Sequence, residues 1–437
     1  MDATINDRMP GSSGQELQIP LDEGLLAPAG QETSIVNMTK SALSQLSSID
    51  FLSDTWHEMY SSTPLAKRQS SGIDNISLDD FELCKKHYIK KLAFELKSGT
   101  YEAQLLSPHF IPKTNGKDRV ICVPTVRDRL LQKALGKIIH QRGYDQTNRI
   151  SYGFVKNRSV KKALNKAIEY RKNYPWAYKA DISAFFDSID RDLLAEKIKC
   201  KIRLRSLHPI LLKIVKTEIH TNSNSEARRI KTMGIKKGTG LRQGMPISPY
   251  LANLMLRDFD TALINKNVKA VRYADDLITF SNSHSLAKET HILCYDLLAK
   301  EGLSIHPLEK GTKTVIAAPE EPIEFLGLAL TPTKGEYQLK ITDQQLTAIQ
   351  SKIIQLGDIN TCLKHGITLS KLVQKIEGKI TGFKGAYDLC QNIQQLEHSL
   401  ESSKNKALKK VLADLGINYS ELTTKQQRFL EIDSKIF

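Results

Sequence analysis

Val268-Lys-Ala-Val-Arg-Tyr-Ala-Asp-Asp-Leu-Ile-Thr-Phe280 decides how the rest of the chain is read. β-Branched and aromatic residues flank a short polar centre, which predicts two strands joined by a tight turn. Val268, Val271 and Tyr273 belong to the first strand, and Leu277, Ile278, Thr279 and Phe280 to the second. Asp275 and Asp276 fall at the tip. Adjacent carboxylates repel one another, and a cation between them relieves the repulsion; hard oxygen ligands with room for water suit Mg²⁺. A solvated turn that happens to carry two aspartates is the alternative, and this stretch alone does not separate the two.

Composition narrows the choice. The 437 residues are enough for two or three domains and a large core. A hydrophobic content of 40% and a charged content of 25% are those of a soluble globular protein. Lys and Arg number 63 against 48 Asp and Glu, a net charge of +15. Such an excess points to a polyanionic partner, nucleic acid being the commonest, with a merely basic soluble protein as the alternative. The six cysteines are scattered and form no Cys-x-x-Cys pair. Neither a zinc site nor a disulfide framework is suggested, which fits a reducing cytoplasm. No apolar run approaches the roughly 18 residues of a membrane span, and the N-terminus lacks the order of a signal peptide.

Upstream of the hairpin, Gly240-Leu-Arg-Gln-Gly-Met-Pro-Ile-Ser-Pro-Tyr-Leu-Ala-Asn253 reads as a glycine-bearing turn feeding a helix. Gly240 and Gly244 permit close approach, and Ser248 and Pro249 read as N-cap and first helical residue. Residues 197–237 are strongly basic and include Arg228 and Arg229. They read as surface facing a phosphate backbone, an ordinary solvated face being the alternative. Ala177-Tyr-Lys-Ala-Asp-Ile182 predicts a short strand ending at Asp181, an acid placed at the edge of a sheet. Asp187 and Asp190, just beyond, read equally well as helix caps. Further upstream, Ile111-Pro-Lys-Thr-Asn-Gly-Lys-Asp-Arg119 contains Asn115-Gly116, a strong hairpin signal. Lys113, Lys117 and Arg119 would cluster at its tip, suited to gripping a triphosphate; a solvated basic loop is the alternative. Ser77-Leu-Asp-Asp80 predicts a capped helix running through Leu96 to Gly99. Residues 1 to about 35 show no sustained period and read as disordered alone or ordered on a partner.

Downstream, a helix is predicted over 285–301, then extended pieces to Ile316. Phe325-Leu-Gly-Leu-Ala-Leu330 reads as one apolar strand with a glycine inside. Beyond Lys340 the periodicity predicts helices over Asp343–Leu356, Ser370–Tyr387 and Asp388–Ser402, then a Lys-rich helical pair to Phe437.

Taken in order, these blocks resemble a bacterial reverse transcriptase of the type encoded by group II introns. The resemblance covers roughly residues 75 to 335 and rests on Ile111 to Arg129, Ser151-Tyr-Gly-Phe154 with Arg158-Ser159, Asp181 with Phe185-Phe186-Asp187, and Gln243-Gly244 with Ile247-Ser-Pro249. It continues through Tyr273-Ala-Asp-Asp276, the Lys310 region and Phe325-Leu-Gly327. It implies an α+β right-hand polymerase: an N-terminal extension over 1–70, fingers over 71–175, a palm of antiparallel sheet packed on helices over 176–335 with a basic insert at 197–237, and a helical thumb over 336–437. It implies that Asp181, Asp275 and Asp276 are catalytic and hold two Mg²⁺ ions, Mn²⁺ being a substitute, with the Ile182 carbonyl as a further ligand. Lys113 and Arg119 would grip the triphosphate, with Gln243 near the incoming nucleotide and Phe186 beneath its sugar. Phe325, Leu326 and Gly327 would hold the primer end, Lys310 (or Lys313) would be the lysine of the preceding block, and Arg228 and Arg229 would face primer and template.

The chain departs from the family in having His306 where an Asn is usual, and in Arg242 and Met245. The resemblance implies an RNA-directed DNA polymerase that uses dNTPs and an RNA template and makes DNA, in the cytoplasm, with no membrane partner and homo-oligomers allowed. The chain ends before any added endonuclease domain, and its variable N-terminal extension is similar to stand-alone reverse transcriptases of phage defence. Many of those act with a cognate non-coding RNA. The alternative is a group II intron-type maturase that binds RNA to aid splicing.

Overall fold

The palm-like sheet is built from strands whose neighbours in space are far apart in sequence. The computed structural model describes residues 41–112, 118–145, 148–309 and 311–429. The first helices are α1 (Ala42–Leu46), α2 (Ile49–Ser62), α3 (Leu78–Leu83) and α4 (Lys85–Ser98). Ser77 and Asp80 form a reciprocal capping box at α3. The single helix expected from Ser77 to Gly99 is broken at Cys84, which leaves helical geometry at φ −115°, ψ 21°. Gly99 ends α4 in the left-handed region at φ 74°. Strands β1 (Ser107–Pro112) and β2 (Asp118–Val123) pair antiparallel. The Asn115-Gly116 tip and the basic cluster's Lys113 and Lys117 lie outside the described residues. Helices α5 (Val126–Gln141) and α6 (Val160–Asn173) follow, capped by Thr125 and Ser159 as their spacing requires.

Next come β3 (Trp176–Asp181), the one-turn α7 (Phe185–Ser188), α8 (Arg191–Lys201), α9 (His208–Val215), α10 (Asn224–Thr232), α11 (Ser248–Met255) and α12 (Arg257–Asn265). Then follow the hairpin β4 (Lys269–Tyr273) and β5 (Asp276–Ser281), α13 (His284–Lys300) and β6 (Val315–Ala317). Among the described residues these strands form a four-stranded sheet in the order β4-β5-β3-β6. All three pairings are antiparallel.

Side chains alternate across that sheet, and each face belongs to a different core. Tyr178, Ala180, Ala270 and Leu277 pack with Cys294 and Leu298 of α13. Ala177, Val271, Ile278 and Phe280 pack with Ala163, Leu164 and Ala167 of α6. The second core continues into a three-stranded sheet of β7 (Ile323–Phe325), β8 (Leu328–Thr333) and β9 (Glu336–Lys340). Phe325 pairs with Leu328, so the single strand expected over Phe325–Leu330 is a hairpin. Leu326 and Gly327 form its turn at φ 50° and 84°, the primed geometry that closes two-residue hairpins. The buried Arg171 of α6 ties this sheet down by donating to the Leu330 carbonyl at 2.6 Å and lying over the Tyr337 ring at 4.6 Å.

The remaining chain is helical: α14 (Asp343–Ile354), α15 (Ile359–Lys364), α16 (Leu369–Ala386), α17 (Ile393–Asp414) and α18 (Thr424–Phe429). Leu372, Ile376 and Ile380 of α16 recur at four-residue spacing and meet Leu396, Leu400 and Ala407 of α17 within the second core. The helix expected over Asp388–Ser402 begins five residues later, at Ile393, and runs unbroken for 22 residues.

Part of the basic region 197–237, which runs from the end of α8 through α9 and α10, is engaged within the chain. Lys197 is buried and holds Asp258 at 2.7 Å and Glu301 at 3.0 Å. Lys201 bonds Asp258 at 2.8 Å, and Lys213 pairs with Glu102 at 2.6 Å. These cations face carboxylates of the same chain, which the sequence run could not show.

Candidate active site

The acid-bearing end of the sheet follows from strand register. Tyr273 pairs with Asp276, leaving Ala274 and Asp275 as the whole turn of the β4–β5 hairpin. Ala274 sits at φ 57°, a position where glycine is the usual occupant. Asp181, the last residue of β3, lies directly opposite Asp276. The loop leaving β3 is pinned as well: the Ile182 N–H reaches the Asp275 carbonyl at 3.5 Å, and the Ser183 N–H donates to the Ser304 carbonyl at 2.8 Å. Three carboxylates thus gather at one corner.

Their electrostatics record the crowding. Burial, then the charges of Asp275 and Asp181, pushes the Asp276 carboxyl up to about 6. Burial also raises Asp275, with Asp181 adding to it, while its own backbone N–H, Lys313 and Arg119 pull the other way. The Lys313 ammonium lies 2.6 Å from Asp181 Oδ2, and that hydrogen bond raises the lysine's pKa. His306 Nε2 is 4.0 Å from the same oxygen. This corner therefore draws positive charge. Among the described residues no group of three or more His, Cys, Asp or Glu side chains is drawn together tightly enough to hold a metal ion by itself. Carboxylate oxygens of this kind would suit hard divalent cations, with other oxygen ligands needed to fill the shell.

A cavity of about 650 Å³ opens beside these acids. Asp181, Ile182 and Asp275 line it, as do Arg119 of β2, Phe186 of α7, Gln243 and Lys313. Two glycines bring its walls together. A Cβ on Gly244, at φ 108°, would lie 2.5 Å from the Cys122 carbonyl oxygen, and the Cys122 N–H donates to the Gln243 carbonyl at 2.7 Å. A Cβ on Gly240, at φ 84°, would meet the Asp187 oxygen at 2.8 Å, and the adjacent Leu241 N–H donates to the Phe186 carbonyl at 2.7 Å.

The structure sorts the residues singled out in the sequence. Asp181, Ile182, Asp275, Arg119, Phe186 and Gln243 come together at the cavity, and Asp276 joins them through the register. Lys313, the alternative to Lys310, reaches Asp181, while Lys113 and Lys310 lie outside the described residues. Asp190 caps α8, accepting from the Asp192 and Leu193 N–H groups. Phe325 is fully buried in the second core and cannot present its ring to a primer, which leaves Leu326 and Gly327 at the turn. Arg228 is exposed and does not line the cavity, whereas Arg229 does.

Two groupings were missed from the sequence. Arg229 Nε donates to Asp118 Oδ2 at 2.8 Å, and its guanidinium lies 4.0 Å over the Phe110 ring, so α10 closes onto the β1–β2 hairpin. Arg272 in β4 is wholly buried against Asp260 of α12, with Nε–Oδ1 at 2.6 Å. A charged residue between Val271 and Tyr273, in the apolar run that follows Lys269, was the available signal. Its partner, 12 positions earlier on a helix, left none.

The chain is similar to several known proteins. Residues 111–330, half of the chain, match the family model described as reverse transcriptase (RNA-dependent DNA polymerase). Protein YkfC of Escherichia coli K12 is 29% identical over 201 residues, covering 44% of this chain and 49% of that protein. The group II intron-encoded protein LtrA of Lactococcus lactis subsp. cremoris is 30% identical over 212 residues, covering 48% and 33%. The retron Ec73 reverse transcriptase of Escherichia coli is 30% identical over 190 residues, covering 41% and 54%. The matched region thus spans between a third and about half of these relatives. It contains β2, the acid-bearing strands, the residues that line the cavity and the β7–β8 turn. By its sequence match and the α+β right-hand architecture that carries it, this chain belongs to the reverse transcriptase (RNA-dependent DNA polymerase) family.

Proposed function

We propose that the chain is an RNA-directed DNA polymerase whose catalytic carboxylates are Asp181, Asp275 and Asp276. The observation that supports it most is the register: Asp181 opposite Asp276, with Asp275 at the turn, beside a cavity walled by Arg119 and Gln243. The division into fingers over 71–175, palm over 176–335 and thumb over 336–437 is part of the same reading, with 1–70 as an extension.

The family generally uses divalent ions; we assign Mg²⁺, with Mn²⁺ as substitute, held by the three carboxylates and the Ile182 carbonyl. Bound ions would acidify the primer 3′-hydroxyl and neutralise charge on the leaving pyrophosphate. The chain's own contribution is placement. Asp181 and Asp276 are fixed relative to each other by strand pairing, and Asp275 by the turn. Arg119, with Lys113, would orient the triphosphate, and Gln243 would lie against the nucleotide. Phe186 is half-buried with its ring centroid 5.4 Å from that of buried Phe185, and it would pack under the sugar. Leu326 and Gly327 would hold the primer end. Exposed Arg228 would meet template phosphate, while Arg229 would serve the cavity wall.

For the template we propose a dedicated non-coding RNA, and for the setting antiviral defence in the cytoplasm. The support is the resemblance of the ordered motifs to stand-alone bacterial reverse transcriptases. The similarity to LtrA favours a second reading, a maturase that binds intron RNA; splicing of a flanking ribozyme by the purified protein would decide for it. The polymerase reading is tested with purified protein, Mg²⁺, dNTPs and a primed RNA. Wild type should extend the primer, and the Asp275→Asn, Asp276→Asn double variant should not. Equal extension by both would refute the assignment.

A further inference from the structure

We infer that Arg272 is a positioning residue that holds the catalytic turn in a conformation it would not otherwise keep. The inference rests on Asp275 and Asp276 being metal-holding carboxylates.

Arg272 is fully buried two residues before the turn, and all five of its N–H groups have acceptors. Nε and Nη2 form a forked pair with the fully buried Asp260. Nη2 also reaches Ser151 Oγ at 3.0 Å, and Nη1 reaches Asn253 Oδ1 at 3.1 Å. The remaining donor bonds the Ala274 carbonyl at 2.8 Å. That carbonyl belongs to the peptide joining Ala274 to Asp275. Fixing its direction fixes the start of the Asp275 backbone, and through it the carboxylate.

Ala274 needs such help because an L-residue at φ 57° is strained. The surroundings converge on the same point. Asn253 Nδ2 donates to the Gly153 carbonyl at 2.9 Å, and a Cβ on Gly153 would lie 2.5 Å from the Ala274 nitrogen. A buried N–H must find an acceptor, and here the fifth donor of Arg272 finds it in the turn itself. Lysine keeps the charge but cannot supply a planar fork with five donors.

The two roles separate in a cycle of Arg272→Lys, Ala274→Gly and the double variant, made in the full chain. Mn²⁺ binding to the free protein is read by water-proton relaxation, alongside kcat, KM for dNTP and the metal-free melting temperature. Arg272→Lys should weaken Mn²⁺ binding and lower kcat by about tenfold or more, as loss of a group supporting metal ligands typically does, while KM moves little. Glycine adopts positive φ without restraint, so Ala274→Gly should restore a large part of the Mn²⁺ affinity to the double variant without restoring its melting temperature. If Arg272→Lys does not fold, Asp260→Asn, which keeps the shape, must show the same loss and rescue. Unchanged Mn²⁺ affinity in the folded variant, or a loss that glycine does not repair, overturns the inference and leaves an ordinary core ion pair. Wild type that binds no Mn²⁺ overturns the carboxylate reading and this inference with it.

Discussion

Phe185 and Phe186 are adjacent and chemically identical, yet the backbone gives them different surroundings. Both touch the cavity, but Phe185 is 2% exposed within the first core, while Phe186 is only half-buried against it. Phe186→Val should therefore open space under the sugar. Ribonucleotide incorporation should rise about ten- to a hundredfold, the range expected when packing against one hydroxyl is relieved. dNTP use should stay near wild type, and single-nucleotide kinetics with rNTP and dNTP check it. Phe185→Val should instead lower the melting temperature without altering sugar choice. Distance from Asp181 made this pair legible, since a turn following a short strand leaves few ways to point. Phe325 was not legible in the same way. Its motif marked a turn, but only its burial in the second core shows that its ring faces inward.

At the scale of elements, sequence punctuation was read best where one residue type has one use. Asn115-Gly116 implied a hairpin, and both flanking strands are present with the expected pairing. Leu326-Gly327 closes a hairpin too, at positive φ, but a leucine in the first position hid it inside an apolar run. The break at Cys84 has no glycine or proline to announce it. Gly244 marks the junction where β2 meets the loop before α11. Gly244→Ala should cost about 1–3 kcal/mol, because a new Cβ meets backbone at a left-handed position. It should also raise KM for dNTP as the strand carrying Arg119 shifts. Gly143→Ala is the control: its φ of 74° carries a similar backbone penalty, but no atom lies within 4 Å of the added Cβ. It should lower stability by only about 1 kcal/mol and leave KM unchanged. Thermal melts and steady-state kinetics on the two variants separate strain from clash.

For the molecule as a whole, a net charge of +15 predicted a polyanionic partner but not where it binds. Lys197, Lys201 and Lys213 are engaged by carboxylates of the chain, while Arg228, Lys231 and Lys237 are exposed. RNA affinity should fall steeply with salt. Replacing Arg228, Lys231 and Lys237 with Ala should flatten the log–log slope by up to about three units, roughly one per lost phosphate contact. Replacing Lys197, Lys201 and Lys213 should leave it unchanged. Filter binding across a salt series distinguishes the two sets. The sequence displayed all six cations alike because charge pairing is a property of the folded surface.

The four-stranded sheet has two apolar faces, each matched to its own core. A slip of β5 by one residue would turn Leu277 and Ile278 into each other's place, spoiling both cores at once. It would also carry Asp276 away from Asp181. The chain thus checks the alignment of its carboxylates with hydrocarbon: misassembly that would scatter the acids is rejected by the bulk of neighbouring side chains before any ion or nucleotide arrives. Accuracy at the acid-bearing end is an inherited property, set by how poorly the wrong alignment fills space.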